Sequence, residues 1–94
     1  MPHFVYILAS RPGGALYTGA TSDLRRRVEQ HRARVVPGHT ARYGIGTLVW
    51  FEIHETREAA LARERSIKRW RRLWKDQLIL GLNPDWRDIS GLIP

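Results

Sequence analysis

The sequence predicts an α+β domain: a small, mostly antiparallel three-stranded sheet with helices packed against it, in the order β-β-α-β-α-α. Three observations predict it. Short apolar runs rich in β-branched and aromatic residues, at 4–9, 15–19 and 47–55, have strand length rather than helix length. Segments 21–33, 57–72 and 74–82 combine capping residues with apolar positions at helical spacing. The 94-residue chain is 43% hydrophobic with four tryptophans, enough for one modest core and too little for a second, so residues 1–94 read as a single domain.

Taken in order, Phe4 to Ala9 runs into "SRPGG", a turn, and Ala15 to Gly19 returns as its hairpin partner. Thr21 or Ser22 is the expected N-cap of the first helix, with Asp23 suiting the positive end of its dipole. Leu24 and Val28 are that helix's apolar positions. Arg27 and His31 share their spacing, so the core-facing stripe also carries two polar side chains, while Arg25, Arg26 and Arg32 turn to solvent. The Pro and Gly content of "VVPGHTARYGIG" makes a loop, and "TLVWFEIHE" supplies a third strand joining the hairpin. Thr56 caps a second helix, on which Ala60, Glu64, Ile67 and Arg71 share one face. A third helix ends near Gly81, Trp70 and Trp74 are expected in the core, and Trp86 is placed to dock the turn-rich tail.

Sixteen Lys and Arg against nine Asp and Glu give a formal charge of +7, which asks for a polyanion, and nucleic acid rewards many fixed cations through counterion release. The absence of cysteine excludes disulfides, thiolate metal sites and thiol nucleophiles. The amino-terminal stretch lacks the pattern of a signal peptide, and no apolar run is long enough to span a bilayer. The expectation is an intracellular protein, in the cytoplasm or with the nucleoid, with no membrane partner.

Glu64 lines up with Ala60 and Ile67, and an ionised carboxylate on a packed face is costly unless it meets a cation. Helix geometry leaves two partners open. One is an i,i+4 pair with Lys68. The other is a divalent metal held by one carboxylate and several waters, as Mg²⁺ prefers when it acts on phosphate.

"Val5-Tyr6-Ile7", then "Tyr17-Thr18-Gly19", then "Asp23-Leu24-Arg25-Arg26-Arg27" with His31, Glu64 in "ALARERSIKRW" and Asn83 in "LNPDW" form an ordered set that resembles the GIY-YIG endonuclease family, in its small stand-alone branch. Phe4 and Val5 stand where the family name has Gly and Ile, and "YTG" stands for "YIG". The resemblance implies a phosphodiesterase using one divalent ion, Mg²⁺ or Mn²⁺, with Glu64 as its only protein ligand. It implies that Arg27 braces the phosphate oxygens, a task for which a planar guanidinium fork is suited. Tyr17 would accept or relay the proton of the attacking water and Tyr6 would hydrogen-bond water or phosphate, with these roles exchangeable. A phenol is a poor base near pH 7, and His31 is the residue best matched to neutral pH. Asn83 would support the site through hydrogen bonds. Many relatives carry Lys or Ser where this chain has Ala20, and His39 and Tyr43 are the loop residues placed to compensate.

In "KRWRRLWK" the cations Lys68, Arg71, Arg72 and Lys75, together with Arg25 and Arg26, form a basic rim that could track a nucleic-acid backbone. Without a base-reading accessory domain, the expected activity is structure-guided or weakly sequence-specific hydrolysis of DNA, in repair or recombination, by a monomer or weak homodimer. The alternative is a non-catalytic nucleic-acid-binding module on the same fold.

Overall fold

The computed structural model describes residues 2–33 and 44–94. Strands β1 (His3–Ala9), β2 (Leu16–Thr21) and β3 (Thr47–His54) form one antiparallel sheet in the order β2-β1-β3. β1 takes the centre because Phe4 to Ala9 carries no charge and can be buried on both faces; each of these residues is 5% exposed or less. In the turn that follows, Ala15 N donates to Ser10 Oγ at 3.0 Å and Gly14 N to Arg11 O at 2.9 Å. Gly13 sits there at a φ of 72°, a conformation open to glycine without penalty.

The pleat sorts the side chains of β1 into two cores. Phe4, Tyr6 and Leu8 pack with Leu24, Val28, Ile45, Leu48, Ile89 and Ile93; Val5, Ile7 and Ala9 pack with Val49, Trp50, Ala60, Ile67, Ile79 and Trp86. β3 serves both through a bulge. Ile7 pairs with Trp50 but Leu8 pairs with Leu48, leaving Val49 as the extra residue. Val49 and Trp50 therefore enter the second core, whereas Leu48 and Phe51 join the first.

Helix α1 (Leu24–Arg32) covers the first core. Its N-cap is Asp23, one or two residues later than Thr21 or Ser22: Asp23 Oδ1 accepts from Arg26 N at 3.2 Å, while Thr21 Oγ1 accepts from Asp23 N at 3.1 Å. The hydroxyl thus supports the cap instead of being it. Helix α2 (Arg57–Arg69) covers the second core and starts at the expected cap, Thr56, whose Oγ1 accepts from Ala59 N at 3.1 Å.

α2 ends earlier than its sequence pattern suggests. Trp70 and Arg71 are both extended, with ψ of 151°, before helix α3 (Arg72–Leu82) begins. The break has a visible anchor: Arg72 donates to Gly14 O at 2.6 Å and to Asp76 Oδ1 at 2.8 Å, tying the start of α3 to the β1–β2 turn. Arg71 consequently does not continue the face of Ala60, Glu64 and Ile67. Trp74 is not a core residue either. It is 48% exposed, edge-on to Trp70 at 6.2 Å and beneath the Arg71 guanidinium at 5.6 Å. Trp70 does pack against the second core.

Asn83 follows α3 and is buried. Its amide nitrogen donates to Val49 O at 3.1 Å and Arg87 O at 2.7 Å, and its Oδ1 accepts from Arg87 N at 3.2 Å. One side chain thereby satisfies a carbonyl at the bulge and fixes the tail. Trp86, docked in the second core as expected, and a 3₁₀ turn (Ser90–Leu92) complete the chain's path back to β3, where Ile89 N donates to Leu48 O at 2.9 Å.

Candidate active site

The hairpin and α1 bring three rings together. Tyr6 lies opposite Gly19 in the β1–β2 register, and Tyr17 lies opposite Leu8 on the same face. His31 reaches them from the last turn of α1, where it is 2% exposed. The Tyr6 hydroxyl is 3.3 Å from His31 Nε2; the Tyr6 and Tyr17 ring centroids are 6.2 Å apart, and those of Tyr17 and His31 are 5.0 Å apart. Tyr6 is buried, whereas Tyr17 is part-exposed.

Gly19 makes this arrangement possible. A Cβ at Gly19 would stand 2.5 Å from the Tyr6 hydroxyl oxygen and 2.6 Å from Cζ, so the phenol lies directly over the glycine of the edge strand. The family-like "YTG" contains this requirement, but sequence alone does not say which ring occupies the space.

Arg27 and Glu64 reach the same phenol electrostatically from different helices. Burial pushes the Tyr6 pKa far above the ordinary phenol range; Tyr17 raises it further, Arg27 pulls it down, and Glu64 raises it. A charge from α1 and a charge from α2 thus act on one hydroxyl of β1. Burial, with Arg27 adding to it, holds the His31 imidazole below its ordinary range and so neutral near pH 7. Tyr6, Tyr17, Arg27, His31 and Glu64 form one neighbourhood, and Tyr6 is its protonated centre.

The depressed His31 pKa has a sign that can be checked. The unfolded imidazole, near 6.5, binds its proton at higher pH than the folded one. Its contribution to stability is therefore complete above about pH 6.5 and is lost as pH falls through the lower folded pKa. Melting temperatures measured between pH 8 and pH 4.5 should fall in the acid part of that range, and His31→Gln should flatten the fall. An unchanged slope in the variant would show that His31 does not titrate in this way.

Glu64 has 17% of its side chain exposed, and its Oε2 pairs with Lys68 Nζ at 3.3 Å, so the i,i+4 partner is realised. The donor chemistry fits a hard divalent ion of the Mg²⁺ or Mn²⁺ type: one part-exposed carboxylate, which such an ion would supplement with water and phosphate oxygens. It does not fit a caged zinc site, since among the described residues no three His, Cys, Asp or Glu side chains could together hold a metal.

The basic rim is unequal. Arg26 is exposed, Lys75 is part-buried, and Arg25 is exposed while donating to Ile93 O at 3.2 Å. Lys68 is half exposed beside Glu64, Arg71 covers Trp74, and Arg72 is committed to Gly14 and Asp76. Asn83 sits at the bulge, holding Val49 and Arg87. His39 and Tyr43 lie outside the described residues. Sequence reasoning passed over Arg57, which lines a concavity with Arg27. Its only sequence signal was its place at the first turn of α2, where a cation is electrostatically unfavourable.

Residues 2–77 match the GIY-YIG catalytic domain, and the chain belongs to the GIY-YIG family, a family of nucleases. Its relatives are small UPF0213 proteins. One from Haloquadratum walsbyi is 45% identical over 80 residues, covering 81% of this chain and 84% of that one. One from Staphylococcus aureus is 40% identical over 77 residues, covering 82% and 93%. The solution NMR structure of a UPF0213 protein from Bacillus halodurans superposes with a TM-score of 0.58 at 30% identity, covering 98% of this chain and 97% of that one. Among the described residues no helix is long and apolar enough to cross a membrane.

Proposed function

We propose that this chain is a divalent-metal-dependent endonuclease that hydrolyses DNA phosphodiesters, guided by structure more than by base sequence and acting in repair or recombination. The observation that carries the reading is the Tyr6 hydroxyl: buried against His31 and subject to the opposed fields of Arg27 and Glu64. A structural tyrosine needs neither charge.

The two tyrosines separate in role. Tyr6 is a poor base, because burial disfavours its phenolate. Tyr17 is the phenol with access to solvent and to Tyr6. As an attacking water bonds to phosphorus, its proton passes to Tyr17; Tyr17 gives its own proton to Tyr6, and Tyr6 gives its proton to His31 Nε2. No phenolate persists, and the neutral imidazole ends the relay protonated. Arg27 grips the non-bridging phosphate oxygens and offsets charge as it builds on them. Glu64 would hold the metal, which when bound polarises the scissile phosphate and stabilises the leaving 3′ oxygen.

The ion pair between Glu64 and Lys68 favours the second reading, a binding module whose glutamate serves only its neighbour. Incubation of the protein with duplex, flap, branched and single-stranded DNA in Mg²⁺ or Mn²⁺, with RNA counterparts alongside, decides between them. Metal-dependent nicking abolished in Arg27→Ala supports the nuclease. Binding without cutting by the parent and variant alike supports the module. Equal cutting by both would overturn the site.

A further inference from the structure

Arg27, whose charge acts on the Tyr6 hydroxyl, also lines a concavity of about 360 Å³, within the range of small-ligand pockets. Arg27 and His3 line it, Arg57 joins them from the first turn of α2, and Ala20, Ala60 and Leu61 add apolar surface. No carboxylate is among the residues that line it. Among the described residues neither Arg27 nor Arg57 has an ion-pair partner. Arg63, one turn and a half further along α2, makes the contrast: it is bound to Glu52 at 2.7 Å. Arg27 and Arg57 are thus two guanidiniums without ion-pair partners that face one mostly polar hollow, lined also by Thr21 and Ser22, with Ala20, Ala60 and Leu61 as its apolar part.

We propose that this hollow is a nucleotide subsite of the same groove, taking the DNA residue next to the scissile phosphate. Arg57 binds that neighbouring phosphate while Arg27 holds the scissile one, and the sugar lies against Ala20, Ala60 and Leu61. The assignment rests on the nuclease reading for its direction along the strand, and on the lining alone for its affinity for phosphate. It also gives Ala20 a purpose. Ala20 pairs with Val5 and lines the hollow, so a long side chain at this position would fill the space that the sugar needs.

The test is equilibrium binding of a fluorescent branched DNA, followed across salt concentration without divalent metal, for the parent, Arg57→Gln, Ala20→Leu and the control Arg11→Gln. Arg11 is exposed in the β1–β2 turn. Arg57→Gln should weaken binding several-fold at low salt and lower the slope of log affinity against log salt by about one, the signature of one lost phosphate contact. Ala20→Leu should weaken binding with no change in charge, and Arg11→Gln should do little. Under cleavage conditions Arg57→Gln should raise KM with kcat nearly kept. If Arg57→Gln and Ala20→Leu bind as the parent does, or if Arg11→Gln loses as much as Arg57→Gln, the subsite is wrong whatever the cleavage assay shows. If both weaken binding selectively while the parent cuts nothing, the subsite stands and the nuclease reading falls.

Discussion

Glu64→Gln should lower metal-dependent DNA cleavage by about 10²–10³-fold, the scale of losing one centre of transition-state charge stabilisation, while DNA affinity and melting temperature change little. The substitution keeps the size and one acceptor oxygen, so packing beside Ala60 and Ile67 is preserved. What it removes is a full negative charge at a side chain only 17% exposed. Its pair with Lys68 is a weak competitor for that role, because Lys68 is 50% exposed and a solvated i,i+4 pair is worth a few tenths of a kcal/mol at about 0.3–0.5. Lys68→Ala separates the possibilities. If Glu64 serves only Lys68, the two variants shift stability by the same small amount and neither alters cutting. If Glu64 holds the metal, Lys68→Ala cuts within a few-fold of the parent while Glu64→Gln does not. Single-turnover rates at saturating Mg²⁺ are the measurement, and a Glu64→Gln rate equal to the parent's would remove the carboxylate from the chemistry.

Much of this was legible in the chain because local signals agreed. Phe4 to Ala9 is uniformly uncharged and became the doubly buried central strand; Thr56 has a hydroxyl three residues before a free amide and became a cap. The stripe formed by Leu24, Arg27, Val28 and His31 placed a guanidinium and an imidazole towards the core before any fold was known, and His31 is indeed buried there. What remained hidden was non-local. The bulge at Val49 depends on register against β1, and its carbonyl is met by Asn83, thirty-four positions away. The break at Trp70 depends on Arg72 reaching Gly14 across the molecule, so helical periodicity carried on through it and put Trp74 in a core it does not enter. Arg57 was invisible for a similar reason. Nothing in its neighbours reveals that α2 starts beside the hollow that Arg27 also lines.

Gly19→Ala should be the substitution that damages fold and activity together. The new methyl would stand 2.5 Å from the Tyr6 hydroxyl oxygen, inside any tolerable contact, and overpacking of this kind costs about 1–3 kcal/mol. The ring has little room to give way, because Tyr6 is 1% exposed and set among Phe4, Leu8, Leu24 and Val28 in the first core. Either β2 moves off β1 or the phenol tilts from His31, and each response separates Tyr6 from the groups that act on it. In a domain of this size the melting temperature should drop by about 4–8 °C for each kcal/mol lost, with cleavage falling in the surviving folded protein as well. Adding Tyr6→Phe removes the closest clashing atom but leaves Cζ at 2.6 Å, so the double variant should recover part of the stability and none of the proton relay. Thermal melts and cleavage rates for the single and double variants supply the check. A Gly19→Ala protein that melted and cut like the parent would mean that the Tyr6 ring does not rest on the edge strand, and the relay from Tyr17 through Tyr6 to His31 would lose its geometry.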